Sequence, residues 1–300
     1  MILKIEDIFS LIRKRPVREM VLVNGIDEHS LEAAHLAFEM GLVKVQVTGP
    51  AGKIHATCNR MGIDASHFRV IDVEDEDQAA LRAVQLIHSG EAGFMMKGLI
   101  STDKYMHALL NKDFGLLPPK GVLSHVTVVE NENYHKLLIV SDVAIIPYPD
   151  LKQKLAMITY LIETARALEI KNPKVALIAA TEQVLAAMPS CTESAILAKM
   201  AERGQIPGGF VDGPMALDVA IDQESARIKK IDSPVAGDAD CLLFPNIDAG
   251  NVFYKMNAKL CRSKLAAVVV GAKIPAVLSS RGDSTQTKLN SIALASLLSK

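Results

Sequence analysis

The feature that most constrains this 300-residue chain is the alternation of short β-rich runs with helix-spaced stretches along almost its whole length. Residues 20–23 read as a strand, and 31–40 place Leu31, Ala34, His35 and Phe38 on one side of a helix. Strands are then expected at 43–47, 69–71, 93–96, 122–129 and 137–140. The last two are close enough to pair as an antiparallel hairpin around Asn131-Glu132-Asn133. Pro147-Tyr148-Pro149-Asp150 introduces a long helix over 151–168, with Asp150 as its cap. Further strands at 175–178, 209–211, 241–244, 266–270 and 275–278 alternate with helices, and a final helix ends near Leu298. Strand–helix units in series bury their apolar faces as parallel sheets clad by helices on both sides, which defines an α/β chain.

Composition narrows the partners. Apolar residues make up 49% and charged residues 22%, as in an ordinary globular enzyme, and a net charge of −1 gives no sign of a nucleic-acid surface. Cys58, Cys191, Cys241 and Cys261 lie far apart, so reduced thiols are expected rather than disulfides or a thiolate metal site. The start carries Glu6 and Asp7 where a signal peptide is basic and then apolar, and no apolar run reaches the length of a membrane span. A cytoplasmic protein meeting small molecules, with no nucleic acid and no membrane, is the expectation. The histidines all fall in the first half; none is read as standing at metal-ligand spacing with a glutamate, and zinc chemistry is not expected.

Parallel α/β sheets bind ligands at the carboxyl ends of their strands, so those ends are the candidate sites. Ser279-Ser280-Arg281-Gly282-Asp283-Ser284 places hydroxyls and a guanidinium between a buried strand and a helix. Two readings stand: an anion site, or a helix start capped by Ser284 or Asp283. In the segment 245–251, Asn246 or Asp248 can cap the next helix, and Asn251 and Gly250 lie beside them. Lys97, Ser101 and Thr102 suit a phosphate contact, although the glycine spacing of a nucleotide phosphate loop is missing; a capped helix with an exposed lysine fits equally. Asp212-Gly213-Pro214 ends a strand with a carboxylate and a turn, and Asp218 and Asp222 share an i, i+4 spacing that more often marks a solvated face.

Taken in order, these motifs resemble the phosphate acetyl/butyryltransferase family, its butyryl branch in particular. The pieces run from Met96-Lys97-Gly98-Leu99-Ile100-Ser101-Thr102 through Ser124-His125, Tyr134-His135-Lys136 and Ser141-Asp142. They continue through Ala187-Met188-Pro189-Ser190, Glu202-Arg203-Gly204, Asp212-Gly213-Pro214 and Pro245-Asn246 to Ser279-Ser280-Arg281. The resemblance implies two α/β/α domains with mainly parallel sheets and an interdomain cleft, similar to the isocitrate/isopropylmalate dehydrogenase-like fold. It implies a split first domain, 1–147 plus 271–300, around a second at 148–270, with CoA docked where both supply strand-end motifs. It further implies a homodimer and the reaction acyl-CoA + phosphate = acyl phosphate + CoA, with CoA as substrate and neither cofactor nor metal. Ser280, Arg281 and Asp283 are implied as catalytic. Lys97, Ser101, Thr102, Asp212, Asn246, Asp248, Asn251 and Ser284 are implied to bind substrate.

The chain departs from the acetyl branch at Thr287, where that branch has the aspartate proposed as base for the CoA thiol; Asp283 is the nearby candidate. Lys120 stands in a segment that often carries arginine, keeping the charge without the bidentate fork. Alternative readings are acetyl transfer, a non-catalytic acyl-CoA or acyl-phosphate binding module, and a metal-dependent decarboxylating dehydrogenase, whose clustered aspartates and arginines are not assembled here.

Overall fold

The computed structural model describes residues 2–278 and 282–299. It falls into two compact units, a split one of Glu6–Gly121 with Ala266–Lys300 and a central one of Met1–Ile5 with Val122–Leu265. The elements of the first run are α1 (Ile5–Ile12), β1 (Arg18–Val23), α2 (Glu28–Glu39), β2 (Val43–Gly49), α3 (Ala51–Met61), β3 (Phe68–Asp72), α4 (Glu76–His88), β4 (Phe94–Lys97) and α5 (Thr102–Leu109). The central unit holds β5 (Ser124–Glu130), β6 (Leu138–Ser141), α6 (Leu151–Ala167), β7 (Lys174–Ile178), α7 (Pro189–Glu202), β8 (Phe210–Met215), α8 (Leu217–Ile221), α9 (Gln223–Ile228), β9 (Cys241–Leu243) and α10 (Ile247–Lys259). The chain then returns to the split unit with β10 (Lys264–Val270), β11 (Ala276–Val277) and α11 (Thr285–Leu298).

In the split unit the strand order is β3-β2-β1-β4-β11-β10. β1 runs parallel to β2 from Arg18↔Val43 to Val23↔Thr48, and parallel to β4 from Met20↔Phe94 to Val23↔Lys97. Met20, Val21, Leu22 and Val23 are all fully buried, because helices cover both faces of a parallel sheet and leave no polar side to alternate with. The chain leaves β1 toward β2 and β3 and later resumes on its other side at β4, so the switch in strand order lies between β1 and β4. α11 is buried over almost its whole length, Lys288 to Leu297, which explains its weak amphipathic pattern.

The central unit has the order β5-β6-β9-β7-β8. Its hairpin pairs Thr127↔Val140 and Val129↔Leu138, and its parallel ladder pairs Ile139↔Cys241, Val175↔Cys241 and Val175↔Val211. Val129, Val140, Met215, Leu242, Phe244 and Phe253 form part of its core. α6 begins with a capping box in which Asp150 and Gln153 satisfy each other's backbone N–H groups.

The division differs from the sequence expectation of 147/148 and 270/271. The hydrogen-bond ladder from β6 to β9 draws the hairpin into the central unit, and the proline-rich segment at 147–150 becomes a loop inside that unit. No helix among the described residues is long and apolar enough to cross a membrane.

Candidate functional site

In the split unit the carboxyl ends of β1 and β4 form one stitched edge. Asn24, buried with a left-handed backbone at φ 49°, donates from Nδ2 to the Leu99 carbonyl at 2.5 Å. The Gly98 N–H donates to Val23 O and the Leu99 N–H to Asn24 O. A Cβ at Gly98 would sit 2.6 Å from both the Val23 and Asn24 carbonyls, so only glycine lets the two loops approach this closely. Lys97 is buried at the end of β4, with Nζ 3.4 Å from the Gly98 carbonyl. Ser101 caps α5 by accepting from the Lys104 N–H at 3.2 Å, and Thr102 opens that helix. Lys97 and the amino end of α5 thus both stand at the carboxyl end of β4.

β11 lies beside β4 and parallel to it, so the carboxyl end of β11 at Val277 lies beside that of β4. Ser280 and Arg281 lie outside the described residues. Ser284 caps α11, accepting from the Thr287 N–H at 3.2 Å. Of the two caps open in the sequence, Ser284 therefore serves. Lys288, one residue beyond Thr287, went unnoticed in the sequence because it is a lone lysine at a helical position. It is buried, and burial lowers its pKa against the opposing pull of Asp27 and Asp283. These groups bring the β1 loop and the α11 start together, and Thr285 Oγ1 donates to Glu32 Oε2 of α2 at 2.7 Å.

In the central unit the ends of β6 and β9 are neighbours. Buried Asp142 accepts from Ser124 Oγ at 2.9 Å, from the His125 N–H at 3.0 Å, and from the Ala144 and Ile145 N–H groups at 2.7 and 2.8 Å. Asn246 caps α10 by accepting from the Ala249 N–H at 3.0 Å, and Asp248 in the first turn accepts from the Tyr148 hydroxyl at 3.4 Å. Asn251 donates from Nδ2 to Val143 O at 3.0 Å, so its amide holds the β6 loop. Asn246, Asp248 and Asn251 thus share one edge with Asp142, which in the sequence stood only as part of the Ser141-Asp142 motif piece.

Gly250 packs against the Asp142 carbonyl oxygen so closely that a Cβ would overlap it. Gly250→Ala must push α10 away from the β6 loop. The expected result is a loss of about 1–3 kcal/mol of stability, as for other overpacked sites, read as an earlier urea unfolding transition. An unchanged transition would show that the contact yields without cost.

Asp212 is not brought to that edge. It lies within β8, not after it, because the ladder to β7 continues to Ile178↔Met215 across a register shift that absorbs Gly213 and Pro214. β8 is separated from β9 by β7, and Asp212 lines a cavity of about 460 Å³ with Lys199, Glu202 and Phe210. Asp218 and Asp222 belong to different short helices: Asp218 pairs with Lys229 at 3.1 Å, while Asp222 caps α9. The solvated-face reading of that pair is the one the contacts favour.

The comparisons agree with this architecture. The family model described as phosphate acetyl/butaryl transferase matches residues 73–296. The chain is 40% identical to a phosphate butyryltransferase of Clostridium acetobutylicum over 298 residues, covering 99% of each chain. It is 40% identical to a phosphate acetyltransferase of Rhizobium meliloti over 277 residues, 92% of this chain and 87% of the relative. Among solved structures, a branched-chain phosphotransacylase from Enterococcus faecalis superposes with a TM-score of 0.83 at 27% identity, over 95% of this chain and all of the other. With a family match over most of its length and relatives of this identity at nearly full coverage, the chain belongs to the phosphate acetyl/butaryl transferase family and is an acyltransferase.

Proposed function

We propose that the chain is a phosphotransacylase that interconverts acyl-CoA and phosphate with acyl phosphate and CoA, with butyryl or a related short or branched acyl group as its substrate. The observation that carries this reading is the 40% identity to a phosphate butyryltransferase over 298 residues, 99% of this chain and 99% of the relative. In the forward direction a phosphate oxygen attacks the thioester carbonyl, the C–S bond breaks, and CoA leaves as the thiolate. Charge gathers on a tetrahedral oxyanion, so fixed N–H, hydroxyl and cationic donors accelerate the step. Ser280 is assigned as donor to that oxyanion or to the departing sulfur, and Arg281 as the fork that holds phosphate. Lys97 and the amino end of α5, with Ser101 and Thr102, supply further positive potential at the carboxyl end of β4. In reverse the CoA thiol must lose its proton, and Asp283 is the assigned base in a chain whose residue 287 is threonine.

No cofactor or metal enters this scheme, CoA being a substrate, and a homodimer in the cytoplasm is the form proposed. A second reading, acetyl transfer, is favoured by the equal identity to the Rhizobium meliloti relative. Acetyl-, propionyl-, butyryl- and isobutyryl-CoA compared by kcat/KM with phosphate, before and after exhaustive chelation, test the proposal. The expected result is phosphate-dependent CoA release, fastest with a four-carbon acyl group and undiminished by the chelator. A maximum at acetyl-CoA selects the second reading, binding without turnover a non-catalytic module. Loss of turnover restored by a divalent ion overturns the metal-free scheme.

A further inference from the structure

A cluster on the opposite side of the split unit has no part in that scheme. α2 places His35 and Glu39 one helical turn apart, and the 3-10 turn Ala65–His67, which leads into β3, brings His67 against them. His35 Nδ1 and His67 Nδ1 are 3.4 Å apart, and His67 Nδ1 is 3.3 Å from Glu39 Oε1. All three ligand atoms lie within 4.8 Å of one another. This corrects the sequence expectation that no histidine stands at ligand spacing with a glutamate. His35 and Glu39 do so at i, i+4, and His67 joins them only through the fold.

We propose that His35, Glu39 and His67 form a binding site for a divalent transition-metal ion, zinc being the ion it fits. Four ligands around zinc at about 2.0–2.1 Å in a tetrahedron stand about 3.3–3.4 Å from one another. Both short separations here match that edge. Two imidazoles and one carboxylate suit zinc and its neighbours rather than magnesium or calcium, which take oxygen ligands. The fourth position is left to water, since Glu39 is exposed and both histidines are partly so.

The surroundings favour a ligand role for His67. Its Nε2 lies 4.0 Å from Asp64 Oδ2, so a carboxylate stands on the side of the ring away from the cluster. Phe38 stacks on the His67 ring at 4.7 Å between centroids and limits its rotation.

The position decides what the ion would do. The end of α2 and the start of β3 lie at the amino ends of the parallel strands, away from the carboxyl-end loops that carry Asn24 and Lys97. The ion would clasp α2 to the turn before β3 and stabilise the unit without touching reactants.

The untagged, full-length chain, stripped of metal and titrated with Zn²⁺, tests this by calorimetry, Tm and the visible bands of a Co²⁺-substituted sample. Expected are one ion per chain, a Tm raised by several degrees, and a tetrahedral Co²⁺ spectrum. His35→Ala and His67→Ala should abolish the site. Because Glu39 is exposed, Glu39→Gln folds whatever the histidine variants do, and it should lose the tetrahedral spectrum. Turnover should be equal with and without the ion. No saturable binding, or binding undiminished in the histidine variants and in Glu39→Gln, would overturn the site; turnover that depends on the ion would overturn its structural role.

Discussion

Ser280→Ala is expected to lower kcat by about a hundredfold or more while the chain stays folded, because an oxyanion donor contributes on the order of 3 kcal/mol in the transition state. Its donor is needed most as charge develops, so the loss should fall on kcat rather than on KM. Arg281→Lys keeps the charge but loses the planar fork, and the KM for phosphate should rise or kcat fall. If the loop were only a helix start, each variant would lose about 1 kcal/mol of stability or less and keep its turnover. The structure sharpens this contrast, since the hydroxyl that caps α11 is that of Ser284. Melting temperature and steady-state kinetics measured on the same samples separate the outcomes. Near-normal kinetics in both variants would remove Ser280 and Arg281 from the site.

Lys136→Met is expected to destabilise the central unit by about 3–5 kcal/mol, the usual result of removing one partner from a buried ion pair. Lys136 is buried, with Nζ 2.9 Å from Asp238 Oδ1 and 2.7 Å from Asp240 Oδ1. Lys174 reaches Asp238 Oδ2 at 2.5 Å, and His135 Nε2 lies 2.9 Å from Asp238 Oδ1. The Lys174 N–H donates to Asp240 Oδ2 at 2.9 Å. Without Lys136 the buried carboxylate of Asp240 keeps no ion-pair partner among the described residues.

The sign with pH follows from Asp238. Burial raises its pKa, but hydrogen bonds from Lys174 and Lys136, with the Lys136 charge and His135, outweigh that and hold the carboxyl far below its usual range. A depressed carboxylate contributes stability that is fully present above its unfolded value, about 3.9, and lost as pH falls toward the folded one. The gap between wild type and Lys136→Met, read by urea unfolding, should therefore be widest near neutrality and narrow below about pH 4. A gap that is small at neutral pH, or that grows in acid, would show that the network contributes little.

The alternation of strand and helix was legible because each element carries its own local signal. The fully apolar run of β1, the Asp150 cap of α6 and the turn at Asn131–Asn133 stand in the expected places. Other features needed distant partners. Tyr134-His135-Lys136 read as a family motif, yet the role of Lys136 rests on Asp238 and Asp240, over a hundred residues away in the chain. Ser141-Asp142 read as another piece of that pattern, and four donors from two segments make Asp142 the anchor of its loop.

By itself the sequence determined the α/β class, the order of elements and the family. Each rests on periodicity, caps and ordered motifs that neighbouring residues carry. Only the tertiary structure decided which strand ends are neighbours, where the chain divides and which polar groups are already engaged. It set Lys97 beside the β11 edge, moved the hairpin into the central unit, withdrew Asp212 to β8 and joined His67 to His35 and Glu39. Those outcomes depend on hydrogen-bond ladders and side-chain contacts between segments far apart in the chain, and no local pattern encodes them.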